Sequence, residues 1–468
     1  MIDKKKILKN IATLSVSEIV NKGVVLITSL YLMRQVTPEG TGIINFGDSF
    51  SSFFMFLVIL AFYQIGSREI AKRTFDTAKI VNTILTLRVI LAGFAAIVYV
   101  AVLYNLNIDA ETKSVTYVYM ILLLTNALNL DWAFQGMERM GVMATRQVLT
   151  SSLTLAGFLI FVHGRDDVIP AALITALSGL LNVLMLLAYY HKRENKFRFE
   201  INREVLQLIL KSILPLSIFI FSVTLLNRAN ILIMEFYDIS KTDMGIFVGA
   251  YKFITFGVVP SNIIQMSFFQ LLARTNDKTE RLTVYNKYFT MNLLVGSFVF
   301  MMLYLFPEVI ILALKQEYAA SIPLLKVFVI SGLIMYMNTS VTPALIAWNH
   351  ERKVMNATII GSIASLAANF ILIRYYGIEG AVYASIIGEA FVFLVYARNL
   401  YQLIQYNFVQ SIARVFSVLF VSVLVGILLK YLGLNIFLIL AIVPIVFYFM
   451  ATFLKIINIK ELIGIVKR

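Results

Sequence analysis

The sequence lacks cysteine and is poor in charge. Its 468 residues include no Cys, three His and eight Pro, and only 14% of them are Asp, Glu, Lys or Arg. The absence of Cys excludes disulfides and thiol chemistry. The low charge content argues against an ordinary soluble domain, in which about 25% of residues are charged.

Hydrophobic residues make up 60% of the chain and fall in runs of about 20, the length that crosses roughly 30 Å of hydrocarbon as a helix. The sequence therefore predicts an all-α polytopic membrane protein with about 14 transmembrane helices. The predicted spans are 11–33, 43–66, 81–105, 114–135, 147–162, 168–190, 212–234, 244–271, 289–312, 321–348, 356–375, 379–401, 413–430 and 436–457. Pro215, Pro260 and Pro343 fall inside spans and predict kinks.

The loops indicate the orientation of these spans. With the N-terminus placed in the cytoplasm, the inner segments carry roughly four times as many Lys and Arg as the outer ones, as the positive-inside rule requires. Both termini are therefore predicted to be cytoplasmic. The net charge of +14 reports this topology, and no single basic patch supports a nucleic-acid partner. The longest inner loop, residues 191–211, is predicted to form an amphipathic helix on the membrane surface.

Three pairs of matching stretches, in the same order, indicate an internal duplication. "EGTGIINFGDSF" matches "TDMGIFVGAYKF" through Gly42 and Gly245, "GMERMGVMA" matches "NHERKVMNA", and "IPAALITALSGLL" matches "IEGAVYASIIGEA". The repeat unit holds six spans, an even number, so both copies enter the membrane in the same direction. The prediction is an N-terminal lobe at 1–200 and a C-terminal lobe at 201–402 around a central cavity. Two further helices and a cytoplasmic tail occupy 403–468.

Eight charged residues lie inside predicted spans, and charges at that depth usually face a cavity or each other. They are Glu18, Lys22, Asp48, Arg88, Asp131, Arg228, Lys252 and Glu389. The repeat relates the spans of Lys22 and Arg228, and also those of Asp48 and Lys252. These spans would line a cleft between the lobes.

Each of these residues has more than one interpretation. Glu18 and Lys22 lie one helical turn apart, either as a self-contained pair or as a pair facing the cavity. Arg228 has no acid within one turn, so its partner must come from another helix, a lipid phosphate or a substrate. Asp131 either faces the cavity or pairs locally with Arg139 or Arg146. Glu389 is either a proton or sodium site or the partner of a cation in its own lobe.

The stretches "TPEGTGIINFGDSFSSFF", "YQIGSREIAKR" and "LDWAFQGMERMGVMATRQ", together with the duplicated six-span lobes, carry a family resemblance. The chain resembles the O-antigen and capsular repeat-unit flippases, in the polysaccharide-transport branch of the multidrug/oligosaccharidyl-lipid/polysaccharide exporter superfamily. The resemblance implies transport of an undecaprenyl-diphosphate-linked oligosaccharide across the bacterial inner membrane, without a cofactor or a metal. It also implies that Lys22, Arg88, Arg228 and Lys252 hold the diphosphate or acidic sugars. Equal numbers of acids and cations favour a neutral or weakly acidic glycan.

Two other classes are weighed against this interpretation. A multidrug-type cation antiporter of the same superfamily would use Asp48 and Glu389, but would be expected to have twelve spans. A membrane polymerase would be expected to carry a large outer loop, and an acyltransferase an intramembrane His or acid pair. The His residues here lie at loops or span edges. Membrane lipids are the expected surroundings, H+ or Na+ the expected coupling ion, and duplicated lobes make a monomer sufficient.

Overall fold

The computed structural model describes residues 4–194, 196–454 and 456, and this part is helical with short connections. The side chains of residues before Val20, and those of Ser212 and Pro215, lie outside the described set. The predicted pairing of Glu18 and the side chain of Pro215 therefore lie outside the described side chains, and the predicted cytoplasmic tail at 457–468 lies outside the described residues.

Each predicted span falls on one or more of the observed helices, which confirms the all-α class. Ten helical stretches of the described residues are long and apolar enough to cross a membrane. The helices are α1 (Lys4–Ile59), α2 (Phe62–Lys72), α3 (Thr77–Asn105), α4 (Ala110–Tyr119), α5 (Ile121–Ala127), α6 (Asp131–Gly136), α7 (Met140–Phe161), α8 (Val168–Arg193), α9 (Arg203–Phe236), α10 (Lys241–Gly257), α11 (Val259–Ala273), α12 (Lys278–Leu305), α13 (Val309–Leu314), α14 (Ser321–Ala347), α15 (Glu351–Ile404), α16 (Phe408–Tyr431) and α17 (Ile436–Phe453).

Two of these helices run across the boundary between two predicted spans and have a sharp break there. In α1 the break is Thr37, with φ 62° and ψ 176°, immediately before Pro38. A residue that precedes proline disfavours the α conformation. In α15 the break is Gly377, with φ 57° and ψ −132°, a conformation that glycine adopts without a steric penalty. This position confirms the predicted division within "YYGIEG".

The segment that precedes α9 contradicts one prediction. Residues 196–202 have no regular secondary structure, and the helix that follows is the start of α9, which begins after the N-cap Asn202. The backbone N–H groups of Arg198 and Glu200 donate to Asn82 and Thr86 of α3, at 3.2 and 3.1 Å. Alternate residues of the segment thus bond to side chains that lie far away in sequence, which local periodicity does not reveal.

Helix packing divides the chain into two compact units, one ending at Val248 and the other beginning at Gly249. The lobe boundary predicted near residue 200 is drawn from the internal sequence repeat and not from helix contacts. It stays a prediction. In the first unit, α1 contacts α3, α4, α5, α7, α8 and α9. Two apolar clusters fill this unit, one around Phe62 and Trp132 and the other around Val36 and Val168.

The second unit is organised around α14, which contacts α11, α12 and α15. The appended helix α16 packs on α12, and α17 packs on α16. Aromatic side chains fasten this appendage: Tyr285 and Tyr406 meet edge to face at 4.8 Å, and Phe289 and Phe408 at 5.1 Å. Such aromatic pairs add to the gain from burial itself.

Candidate functional site

One face of α1 is polar where its second half crosses the predicted membrane. Asn45, Asp48 and Ser52 are partly exposed, whereas Phe46 and Phe50 between them are buried. Residues separated by three and seven positions share one face of a helix. This half of α1 therefore presents a polar stripe.

Asp48 on that stripe forms an ion pair with Arg228 of α9. Arg228 Nη1 lies 2.6 Å from Asp48 Oδ2, and the two side chains are 37% and 32% exposed. The partner that the sequence required for Arg228 therefore comes from another helix. A pair that remains one-third exposed at this depth needs a polar space beside it, because a lipid-facing arginine is costly.

Lys22 lies in the first half of α1, where its side chain is partly buried. The neighbouring Asn21 Oδ1 accepts a hydrogen bond from Ser151 of α7 at 2.5 Å. The polar character of this part of α1 is thus continued by α7. The pairing of Lys22 with Glu18 lies outside the described side chains.

Arg88 occupies a different environment from Arg228. Its side chain is 4% exposed and donates to the backbone carbonyls of Asn126 and, at 3.0 Å, Asn129. These carbonyls lie at the junction of α5 and α6, where the predicted fourth span breaks. The Asn126 carbonyl also accepts from the N–H of Asn129 at 3.2 Å, and the Asn129 carbonyl from the indole N–H of Trp132 at 3.0 Å, so Arg88 is a second donor to each. In this conformation Arg88 donates hydrogen bonds to carbonyls at the junction of two helices. Its role in substrate binding stays a prediction.

Asp131 pairs locally, as one of the two sequence interpretations proposed. Its Oδ1 lies 2.5 Å from Arg146 Nη2 of α7, and Arg146 is 5% exposed. Arg146 also donates to Asn182 of α8, whose amide donates to Thr150 at 2.8 Å. Together these side chains link α6, α7 and α8 through a buried polar network.

Glu389 and Lys252 both lie in the second unit, and both are partly buried. Glu389 Oε2 accepts from Asn338 Nδ2 of α14 at 2.7 Å, and its backbone carbonyl accepts from the same amide at 3.0 Å. A carboxylate within a span, held by a neutral amide, is a group that can gain and lose a cation. Asn338 was missed from the sequence, although the polar run "NTS" inside an apolar span marks the place.

Two positions in the second unit where a helix hydrogen bond is missing receive a donor from a tyrosine. Pro343 inside α14 cannot donate to the carbonyl of Thr339, and that carbonyl accepts from Tyr288 at 3.0 Å. At the break between α10 and α11, the carbonyl of Gly257 accepts from Tyr336 at 2.8 Å. The kink predicted at Pro260 is observed as the boundary between α10 and α11, whereas α14 runs unbroken through Pro343. At both places a neighbouring helix supplies a donor.

His350 lies outside the helices, between α14 and α15. Burial lowers the pKa of its imidazole, and the charges of Lys353 and Arg281 lower it further. A neutral His at a helix junction lies apart from the intramembrane acids, in agreement with its predicted place at a span edge.

The second half of α1 and the start of α10 approach at backbone distance. A β-carbon at Gly42 would overlap the carbonyl of Lys241, and one at Gly245 would overlap the carbonyl of Pro38. Gly42 and Gly245 are equivalent in the predicted repeat, and Pro38 and Lys241 stand four positions before them. The same contact is thus made twice. Lys241 Nζ also lies 4.5 Å from the ring centroid of Phe46.

Comparison with solved structures places this fold among known membrane transporters. The lipid II flippase MurJ, in its inward closed conformation, matches with a TM-score of 0.75 at 12% identity, over 96% of this chain and 99% of that one. An inward-facing MATE multidrug transporter of the MOP superfamily matches with a TM-score of 0.64 at 15% identity, over 84% and 98%. An outward-facing MATE transporter matches with a TM-score of 0.55 at 17% identity, over 84% and 96%.

The sequence comparisons give the family. No curated protein matches the chain by sequence. The family model described as polysaccharide biosynthesis protein matches residues 7–269, more than half of the chain. The solved structures that match the fold are transporters and a flippase, which agrees with the prediction against an enzyme. The chain belongs to the polysaccharide biosynthesis protein family, as the resemblance in its sequence predicted.

Proposed function

We propose that the protein is a flippase for an undecaprenyl-diphosphate-linked oligosaccharide repeat unit, working by alternating access in O-antigen or capsular polysaccharide synthesis. The family and the MurJ-like fold support transport of a lipid-linked substrate. The sugar end would cross through the polar cavity, and the polyprenyl chain would stay in lipid.

The observation that carries this proposal is the ion pair of Arg228 and Asp48. Arg228 presents a guanidinium that is 37% exposed, and guanidinium groups bind phosphate oxygens in a two-pronged geometry. A diphosphate that leaves water needs such donors to replace its hydration. Lys22, Arg88 and Lys252 are the further cations proposed for the diphosphate or for acidic sugars.

The remaining parts of the proposal concern coupling and placement. Glu389 is proposed as the coupling site for H+ or Na+, with Glu18, Asp48 and Asp131 as further acids of the transport pathway. The protein is proposed to lie in the bacterial inner membrane with both termini cytoplasmic and to act as a monomer surrounded by membrane lipids.

A cation-coupled multidrug antiporter is the second candidate, and the acid Glu389 together with the MATE-like fold favours it. Coverage argues against it: the MATE structures match 84% of this chain, whereas MurJ matches 96%. An antiporter with twelve spans would have no counterparts of the appended helices α16 and α17.

Substitution of Arg228 tests the proposed function. In a flippase-null strain, Arg228→Ala should abolish surface glycan and lead to accumulation of lipid-linked repeat units on the cytoplasmic leaflet, because the diphosphate loses its donors. Arg228→Lys should retain part of the activity, since the charge remains but the planar fork is lost. Arg228→Glu should be at least as defective as Arg228→Ala.

The matched control is Arg374→Ala, which removes an exposed arginine at the end of the predicted span 356–375. Protein amount in the membrane is measured for every variant. Normal surface glycan from Arg228→Ala would exclude Arg228 from the site. Loss of the protein itself would assign Arg228 a structural role.

A further inference from the structure

The ion pair of Asp48 and Arg228 leaves the arginine with spare binding capacity. The ion pair uses one terminal nitrogen, Nη1, at 2.6 Å from Asp48 Oδ2, while a guanidinium carries five N–H donors. About a third of each side chain is exposed. A ligand in the same polar space can therefore reach the guanidinium and compete with Asp48 for it.

The Asp48 carboxylate and the diphosphate of the cargo compete for the guanidinium of Arg228, and their chemistry predicts which binds more tightly. Asp48 carries a single charge on a short side chain that the helix holds in place. A diphosphate carries more charge and more acceptor oxygens, and it can engage the fork through two parallel bonds. Between transport cycles the arginine needs a counter-charge, because an unpaired arginine within the membrane is costly.

We propose that Asp48 is a resident counter-ion of Arg228 that the diphosphate of the cargo displaces. This inference rests on the proposed function. When no cargo is bound, Asp48 stabilises Arg228 by pairing with it. An incoming anion binds more weakly by the free energy needed to displace Asp48 from Arg228. The ion pair forms again when the cargo leaves. Asp48 thereby sets the affinity of the site without itself touching the cargo.

A binding measurement tests the displacement. The purified full chain is titrated with farnesyl diphosphate, a short prenyl diphosphate, by calorimetry. Asp48→Asn should tighten binding by about two- to five-fold, the range expected for removing a partly exposed ion-pair partner. The same substitution in an Arg228→Ala background should leave affinity unchanged, because no guanidinium remains to compete for. Asp166→Asn, an exposed acid between α7 and α8, is the matched control.

The outcomes separate this inference from the proposed function. Weaker or unchanged binding by Asp48→Asn, with the unaltered protein still binding the probe, overturns the counter-ion role alone. Tighter binding that persists in the Arg228→Ala background also overturns it. Absence of binding to the unaltered protein overturns both the inference and the proposed function.

A different observation, the duplicated glycine contact between α1 and α10, carries a second inference. Each glycine lies against a backbone carbonyl of the other segment, so the two helices are as close as helix backbones can pack. The ammonium group of Lys241 lies over the ring of Phe46 and donates a hydrogen bond to Glu235. Asn45 and Asp48, on the polar stripe, lie just beyond Gly42 along α1.

We infer that this contact is the latch that closes the end of the cavity predicted to face the periplasm. Both sides of the latch lie at the starts of predicted spans, at their outer ends. Because the two contacts are equivalent, separating the segments breaks both together, which makes the latch either closed or open. Cargo can leave outward only in the open state.

The absence of native cysteine allows a direct test. A single reporter, Asn45→Cys, is labelled in intact cells with a membrane-impermeant maleimide. Gly42→Ala or Gly245→Ala should raise labelling several-fold, because the added methyl group excludes the closed contact. Lys241→Met, which leaves the backbones free to pack, should raise it less. Gly93→Ala is the control, since a β-carbon there meets open space.

Labelling is normalised to the amount of folded protein recovered by size exclusion. Equal labelling of the Gly245→Ala, Lys241→Met and Gly93→Ala variants would overturn the latch. High labelling of the reporter without any latch substitution would overturn it as well, because the outer end would then already be open.

Discussion

At the scale of single residues, two arginines with the same sequence pattern have different environments. Arg88 and Arg228 both lie inside apolar spans without an acid nearby in sequence. Arg88 is buried against the carbonyls of Asn126 and Asn129, whereas Arg228 is 37% exposed beside Asp48. The difference comes from neighbouring helices, and the two residues should respond differently to substitution.

Arg88→Ala should lower the thermal stability of the purified protein. Its removal takes one donor from each of two helix-end carbonyls, which keep the N–H of Asn129 and the indole N–H of Trp132 as donors. The cost is roughly 1.5–3 kcal/mol for each hydrogen bond to a charged group that is lost. The melting temperature in detergent should fall clearly, whereas Arg228→Ala should change it little. Arg374→Ala serves as the control for loss of an arginine. An unchanged melting temperature together with lost glycan transport would instead place Arg88 in the cargo site.

At the scale of helices, three interruptions within predicted spans are each matched by a donor from another helix. Arg88 serves the junction of α5 and α6, Tyr336 the junction of α10 and α11, and Tyr288 the proline position of α14. Within the membrane an unpaired backbone carbonyl has no water to bond to. Breaks in spans are therefore tolerated only at positions where such a donor is available.

The pairing of Tyr288 with the proline-freed carbonyl of Thr339 predicts a double-mutant cycle. Tyr288→Phe alone should lower the free energy of unfolding by about 1–2 kcal/mol, because the carbonyl loses its donor. In a Pro343→Ala background the same change should cost less, since the alanine N–H can then donate to Thr339. Melting temperatures of the four proteins measure the coupling.

Tyr375→Phe, at an exposed tyrosine, gives the baseline for loss of a hydroxyl. If the two substitutions are strictly additive, the tyrosine does not replace the hydrogen bond that the proline removes.

Much of the helix pattern could be predicted from the sequence, because hydropathy and length report directly on burial in lipid. The fourteen spans fall on helices, and the division at Gly377 follows from a glycine within a polar break. The partner of Arg228 and the non-helical segment before α9 could not be predicted. They depend on side chains of α1 and α3, distant in sequence, and no local period encodes such contacts.

At the scale of the whole molecule, the candidate groups fall in two compact units. The exposed ion pair of Arg228 and Asp48 belongs to the first, and the Glu389–Asn338 pair to the second. The duplication predicts that residues 1–200 superpose on 201–402 by rotation about the membrane normal. Both lobes would then share one orientation in the membrane, and the topology can be measured directly.

Reporter fusions test the predicted topology. A reporter fused after Lys113 should be periplasmic and one fused after Lys196 cytoplasmic, because the basic residues concentrate in the loops assigned to the inside. Alkaline phosphatase and a fluorescent protein, each active on one side only, give opposite readings at each site. The reverse reading at either position would invert the orientation and move the glycine latch to the cytoplasmic end.

The separation of the candidate groups also predicts that binding and coupling can be separated by mutation. Glu389→Gln keeps the shape of the side chain and its contact with Asn338 but removes the ability to carry a charge. If Glu389 couples a cation to transport, the variant should fail to restore surface glycan while still binding farnesyl diphosphate, since Arg228 lies in the other unit. Glu379→Gln, at an exposed position, is the matched control.

Full restoration of glycan would remove Glu389 from the coupling step. Loss of both transport and binding would show instead that the carboxylate shapes the cargo site, because a pure coupling residue changes turnover and leaves the affinity of the empty cavity unchanged.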